Sequence, residues 1–344
     1  MPLSRMLFNR AAIAAALLVM LTPKLAHAAE MTKVKFSLDW TVGASTAAYI
    51  LARDRGYFAE EGVDVSIDPG KGGSSFVERL VGGVYDIAVG DMTPYIQYLG
   101  NNPDDDTMRA VYVASNESPY AFISLSKNGI NKPADIMGKK IASAAFAATR
   151  AAWPVFAKVN NLSETGATWQ LVDPAVRGAM LVQGSADLVA GFTTDVPLFA
   201  HLGVAPDQFS LIKYKDYGVQ FYSNTLVASR SFIGQKPKAV AAFVRAANRG
   251  LKALIEDPEA AIAAVKKANP LIDESTERQI LDILLRDVIV TPETRKNGLG
   301  AVTIPRLSAQ VDEIASTMQL RSKPPLDRVF TPDFLPAEAD RQIH

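Results

Sequence analysis

From Lys33 onward, short apolar runs alternate with stretches whose apolar residues recur at helical spacing. Residues 34–39 predict a strand. Residues 45–60 predict a helix closed by Gly62, and 63–67 a second strand. A glycine-rich turn at 70–73 leads into a helix over 74–81. A strand at 86–89 follows, then a helix after Thr93-Pro94 and a fourth strand at 109–114. A second unit of the same kind begins after Pro119, with strands at 121–125, 140–143, 168–172 and 187–191 and helices between them. Residues 210–214 and 220–227 read as extended. The remainder is helical over 237–256, 258–269, 274–287 and 304–317, and ends in a proline-bearing tail. Repeated strand-then-helix units predict an α/β fold with largely parallel, doubly wound sheets. The chain is expected to cross between two lobes twice, near 115–120 and 217–224. Lobe 1 would then be discontinuous, built from 29–116 plus 222–344, and lobe 2 would be 117–221. Two lobes joined twice make a clam-shell that hinges on a ligand. The ligand belongs beyond the carboxyl ends of the strands.

The first 28 residues stand apart from this pattern. Arg5 and Arg10 precede an apolar run over 11–21, Pro23 breaks it, and Ala26-His27-Ala28 offers small residues where a signal peptidase cuts. The run is about half the length needed to cross a bilayer, so a cleaved export signal is expected rather than an anchor. The whole chain carries 36 basic and 36 acidic residues. Arg5, Arg10 and Lys24 lie in the export segment, so 33 bases against 36 acids leave the remainder with a net charge of about −3. That balance, with no basic stripe, excludes a nucleic-acid footprint. With no cysteine, disulfides, thiolate metal sites and a cysteine nucleophile are excluded. Of three histidines, His27 lies in the export segment and His344 is the last residue. Only His201 remains for a metal site or a catalytic triad. Neither a metal nor a cofactor is expected.

The run Leu38-Asp39-Trp40-Thr41, the turn Gly56-Tyr57-Phe58-Ala59-Glu60-Glu61-Gly62-Val63-Asp64-Val65, the loop Gly72-Gly73-Ser74-Ser75 and the strand Tyr85 through Gly90 resemble the SsuA/THI5-like (NMT1-like) family. So does Lys132-Pro133-Ala134-Asp135-Ile136-Met137-Gly138-Lys139-Lys140-Ile141-Ala142 in the second lobe. The resemblance runs to about residue 320. It implies a two-lobed periplasmic binding protein of type II-like fold, monomeric, that passes a small solute to an ABC permease. Its relatives bind pyrimidine precursors, riboflavin, aromatic carboxylates or sulfonates such as taurine. Yeast members make a pyrimidine with iron and a cysteine-rich motif. This chain lacks cysteine and carries an export signal, so it is not expected to be an enzyme.

Candidate ligand contacts follow from the strand ends. Trp40 offers a flat face for a ring, or fills the core. In pyrimidine-binding relatives an aromatic occupies a similar place. Asp39 precedes it, and with Asp91 would form the carboxylate pair of a hydrolase, a reading that fold analogy does not favour. Gly73 and Ser74 open a helix whose free N–H groups suit an anion, or are capped by serine. Asp91 and Thr93 line the cleft or cap the next helix. In lobe 2, Ser143, Phe146 and Arg150 follow a strand. Arg150 grips a carboxylate or sulfonate, pairs with an acid such as Asp173 or Asp195, or points into solvent. Phe192, Thr193 and Asp195 lie in a loop that contacts ligand in relatives, although Asp195 also suits an N-cap. Tyr217, Tyr222 and Asn224 reach the cleft from the second crossing, or build the hinge. If the aromatic residues converge, the pocket fits an aromatic or heteroaromatic solute, with Arg150 as an anionic handle.

Overall fold

The computed structural model describes residues 31–343. The expected export segment, with its cleavage point near Ala28, lies outside the described residues, as do His27 and His344. Two five-stranded sheets carry the chain. The first contains β1 (Thr32–Ser37), β2 (Val63–Asp68), β3 (Ile87–Asp91) and β4 (Met108–Val113). The second contains β5 (Tyr120–Leu125), β6 (Lys140–Ser143), β7 (Thr168–Leu171), β8 (Leu188–Phe192) and β9 (Phe209–Lys213). The last strand, β10 (Asn224–Ser229), returns to the first sheet.

The strand orders are β2-β1-β3-β10-β4 and β7-β6-β8-β5-β9. The sheets are mixed, unlike the largely parallel sheets that the strand-helix alternation predicts. β1 runs parallel to β2 and β3, but β10 is antiparallel to both β3 and β4. β5 is likewise antiparallel to β8 and β9. The cause lies in the crossings. Each delivers the chain at the cleft edge of the receiving sheet, so the next strand must run away from the cleft while its neighbours run toward it. The registers record this: Asn224, first in β10, sits opposite Asp91, last in β3, and Tyr120 opposite Phe192.

The two crossings lie side by side. Ala114 and Ser115 donate backbone N–H groups to the Asn224 carbonyl at 2.8 and 2.9 Å, and Ser223 donates to Ser115 at 3.1 Å. One core packs the Pro237–Glu256 helix onto the Ala47–Asp54 helix, where Phe36, Tyr49, Phe58 and Phe243 meet with ring centroids 4.9–5.0 Å apart. A second core is continuous through both sheets. It runs from Phe76 and Tyr95 past Leu307 and Val311 to Phe122 and Phe156. The Ile304–Thr317 helix therefore backs the junction of the lobes.

The continuous helix expected over 45–60 is divided. A 3-10 turn (Ala44–Thr46) leads into Ala47–Asp54, and a single turn (Tyr57–Glu60) follows Gly56, whose φ of +76° interrupts the regular backbone. The tail beyond 320 is tied down at several places, among them a bridge between Ala110 and Phe330 and Arg341, which donates to the carbonyls of Asn297 and Leu299.

Candidate functional site

The carboxyl ends of β1, β3, β6 and β8 converge where the lobes meet. After β1, the Asp39-Trp40 loop is held by the glycine turn: Gly72 donates to the Asp39 carbonyl at 2.6 Å and Gly70 to the Trp40 carbonyl at 3.0 Å. A Cβ on Gly70 would lie 2.3 Å from the Asp39 carbonyl oxygen, so glycine is what allows the two loops to touch. From the other lobe, Phe146 reaches the same turn. A Cβ on Gly72 (φ +82°) would meet Trp40 Cζ3 at 2.8 Å and Phe146 Cε2 at 3.7 Å. On Gly73 (φ +57°) it would lie 2.1 Å from the Phe146 carbonyl oxygen. Trp40 and Phe146 are 40% and 45% exposed, unusual for large rings, and stand at the lip where the cleft is shut.

Beside Trp40, a buried polar atom has no partner among the described residues. Asp39 Oδ2 accepts from Asn224 Nδ2 at 2.6 Å, while Asp39 Oδ1 is enclosed and unpaired among the described residues. Burial pushes the Asp39 carboxyl up to about 6, opposed by the Asn224 bond and by the backbone N–H groups of Asp39 and Trp40. The hydroxyls of Ser118 and Thr193 are also buried and unpaired. They are neighbours through the chain, because Thr193 donates its N–H to the Pro119 carbonyl at 2.8 Å. Ser118 belongs to the first crossing and Asn224 ends the second, so these groups come from both lobes and the hinge. Sequence reasoning missed Ser118, since nothing in a hinge peptide marks a serine as aimed inward.

Asp91 is occupied otherwise. It caps the Met92–Asn101 helix through Thr93 N–H at 2.8 Å, and takes Tyr120 Oη at 2.5 Å and Ser223 Oγ at 2.6 Å. Burial raises its pKa, and those donors oppose the rise. The Thr93 hydroxyl bonds Tyr120 Oη at 3.1 Å. Together they tie the lobes at the hinge. Asp195 is the first residue of a short helix, accepts from Phe192 N–H at 3.1 Å and pairs with Arg177 at 3.3 Å. Phe192 stacks on Tyr120 with centroids 6.0 Å apart. Ser143 Oγ donates to the Ala144 carbonyl. The seven-residue helix after Ser74 begins with Ser75 Oγ bound to the Gly72 carbonyl at 2.8 Å.

Arg150 is only partly committed within its own lobe, since its Nε is buried without a partner among the described residues. Its Nη1 donates to the Ala145 carbonyl at 3.2 Å and its guanidinium lies 5.8 Å from the Trp169 ring. It pairs with neither Asp173 nor Asp195. Tyr217 packs its ring on Phe156 and donates to the Asn131 carbonyl at 3.4 Å, inside lobe 2. Tyr222 is hinge structure: its hydroxyl donates to Glu293 at 2.5 Å and accepts from Thr303 N–H at 2.8 Å, under the Arg306 guanidinium. The structure thus gathers Asp39, Trp40, Gly73, Phe146 and Thr193 at the cleft and leaves Tyr217 and Tyr222 outside it. A surface groove of about 470 Å³ lies elsewhere, beside Arg245 and Arg249, which are already paired with Glu61 and Glu60. Among the described residues, no group of three or more histidines and carboxylates could hold a metal, and no helix is long and apolar enough to cross a membrane.

This architecture recurs in known proteins. The chain is 26% identical over 264 residues to a formylaminopyrimidine-binding protein from Halalkalibacterium halodurans, covering 73% of this chain and 76% of that one. Its fold matches the periplasmic aliphatic sulphonate binding protein SsuA from Escherichia coli, with a TM-score of 0.67 at 16% identity, over 88% of this chain and 92% of that one. It also matches the desulfurization enzyme DSZB, with a TM-score of 0.58 at 12% identity, over 90% and 99% of the two chains. The fold therefore carries both binding and catalysis, and does not by itself choose between them. The sequence is more specific: residues 44–261, well over half of the chain, match the profile of the NMT1/THI5-like proteins, and the chain belongs to that family.

Proposed function

We propose that this chain is the exported, periplasmic solute-binding component of an ABC importer, acting as a monomer without chemistry of its own. In this reading 29–116 with 222–344 form lobe 1, 117–221 form lobe 2, and a small aromatic or heteroaromatic solute is held between them for delivery to an inner-membrane permease. One observation carries the reading. Two exposed rings, Trp40 from one lobe and Phe146 from the other, approach the same glycine turn, and Asp39 beside Trp40 keeps one buried carboxylate oxygen without a partner among the described residues. Buried polar groups are paired with few exceptions, so such an oxygen marks a space that a ligand completes. The curated relative binds a formylaminopyrimidine, a flat heteroaromatic, which agrees with ring stacking at this lip. A hydrolase with paired carboxylates is disfavoured, because Asp91 is engaged by three protein donors as a helix cap and a tie between the lobes.

The test is a thermal shift screen of protein expressed from the full sequence, against ring solutes, taurine and alkanesulfonates, with small-angle scattering on each hit. A bound solute raises the melting temperature by mass action. Ring solutes should do so and shrink the radius of gyration. Trp40→Ala and Phe146→Ala should each weaken binding at least tenfold, in line with a lost stacking face of about 1–2 kcal/mol. Hits confined to taurine and alkyl sulfonates, unaffected by either substitution, would remove the ring from the reading.

A further inference from the structure

His201, the one histidine among the described residues, stands apart from the site above, and its contact bears on how the cleft is held shut. The inference rests on the two-lobe reading. We propose that His201 and Thr276 form a latch between the lobes, and that Lys213, Lys215 and Asp287 form the pivot about which the lobes part.

Both contacts fall on one segment of lobe 1, the helix Glu274–Leu284 and the π-turn Leu285–Ile289 that continues it. At its start, Asp273 accepts the Thr276 N–H at 2.8 Å and the Thr276 hydroxyl at 2.7 Å. A hydroxyl has one proton, so toward the imidazole that touches it Thr276 Oγ1 is an acceptor, and His201 Nε2–H is the donor. His201 closes the Asp195–Ala200 helix of lobe 2, so this bond crosses between the lobes. At the far end, Asp287 pairs with Lys213 at 3.7 Å, and its backbone carbonyl accepts from Lys215 Nζ at 3.0 Å. Both lysines belong to lobe 2. Arg286 also pairs with Asp287, but from within the segment.

The two ends are fastened to different parts of lobe 1. Beside the latch, Glu277 accepts the Ala44 N–H at 2.5 Å and Asn269 donates to the Val42 carbonyl at 3.1 Å, which ties the first turn to the loop that carries Trp40. Beside the pivot, the Val288 carbonyl accepts the N–H of Glu117, in the first crossing, at 3.1 Å. Lys215 lies in the turn Tyr214–Tyr217 that leads into the second crossing. The lysine end therefore sits at the hinge, and Thr276 lies about 16 Å from it along the helix. Displacement in a hinge motion grows with distance from the axis, so opening breaks the histidine contact and keeps the lysine contacts. One hydrogen bond shifts the closure equilibrium by about twofold to tenfold, and a bond that touches no solute acts on every solute alike.

The chain has no cysteine, so introduced thiols react without competition. His201→Cys with Thr276→Cys puts a pair at the latch, and Lys215→Cys with Asp287→Cys a pair at the pivot. Each pair is joined with a short bismaleimide and compared with its unjoined form by small-angle scattering, without solute, at pH 7.5. Joining at the latch should shrink the radius of gyration, and joining at the pivot should leave it unchanged. Equal changes in the two proteins, or none in either, would overturn the assignment. Calorimetry with 2-aminopyrimidine and taurine, two unlike probes, then reads the latch in single variants. His201→Ala and Thr276→Val should weaken each probe that binds by the same factor, about twofold to tenfold. His201→Gln, whose amide N–H reaches the same oxygen, should restore the affinity, which lost packing would not explain. A factor that differs between probes, or a failed rescue, would remove the latch. If neither probe binds the wild type, solute capture as read above loses its support, while the scattering of the joined proteins still decides latch and pivot.

Discussion

Gly73 sits where one atom decides whether the lobes can meet. Its φ of +57° costs a side chain about 1 kcal/mol in any state of the molecule, whereas the 2.1 Å approach of a Cβ to the Phe146 carbonyl oxygen exists only when the cleft is shut. Gly73→Ala should therefore lower the melting temperature by only about 2–4 °C, yet weaken solute binding at least tenfold, because closure is obstructed. Gly83→Ala supplies the comparison. Gly83 has φ +67° with nothing within 4 Å, so it should lose similar stability and keep its affinity. Equal affinity in both variants would mean that the lip does not close on the solute. At this scale the sequence was partly legible. The end of β1 placed Asp39 and Trp40 at the cleft, and the glycine turn marked a close approach. What approaches the turn was not legible: the expected ligand anion is replaced by Phe146, and a contact between residues 73 and 146 has no local signal. Asp91 and Asp195 each allowed a cap or a ligand role, and their acceptor geometry, invisible in sequence, is taken up by the protein itself.

Among the elements, the helices with whole apolar stripes were the most legible. Pro237–Glu256 and Ile304–Thr317 begin and end where proline and the apolar period place them. Strand direction was not, since a period of two residues fixes which face is buried and says nothing of which way the strand runs. The Ile304–Thr317 helix also hides a role that its stripe does not show. Arg306, near its start, donates to the carbonyl of Asn116 at 2.8 Å and to that of Gln220 at 3.1 Å, one from each crossing. It pairs with Glu117 at 3.0 Å and Glu293 at 2.9 Å, with its side chain 15% exposed. Removing it leaves two half-buried carboxylates facing each other, one of which, Glu117, already has its pKa raised by burial. Arg306→Ala should cost about 2–4 kcal/mol in urea unfolding, and Glu117→Gln added to it should recover part of that loss. Additive losses would show that the cation does not bridge the crossings through these acids.

Across the whole molecule, the half-paired carboxylate of Asp39 makes stability depend on pH. Its pKa in the folded protein, about 6, lies above the ordinary carboxylate value of 3.8. The folded state therefore holds the proton more tightly than the unfolded chain. Its contribution to stability is fully present below the unfolded value and is lost as pH rises through 6. Above that range the empty protein carries a cost of up to about 3 kcal/mol from one desolvated charge. Asp39→Asn should accordingly raise the melting temperature of the empty protein at pH 7.5, with the difference shrinking toward zero as pH falls through 6 to 4. A difference that stays constant with pH would place Asp39 in water rather than in the closed cleft. Because the cost falls on the shut, unloaded form, it also opposes closure without solute: the wild-type empty protein should scatter as a more open particle at pH 7.5 than at pH 5, and the variant should show no such change.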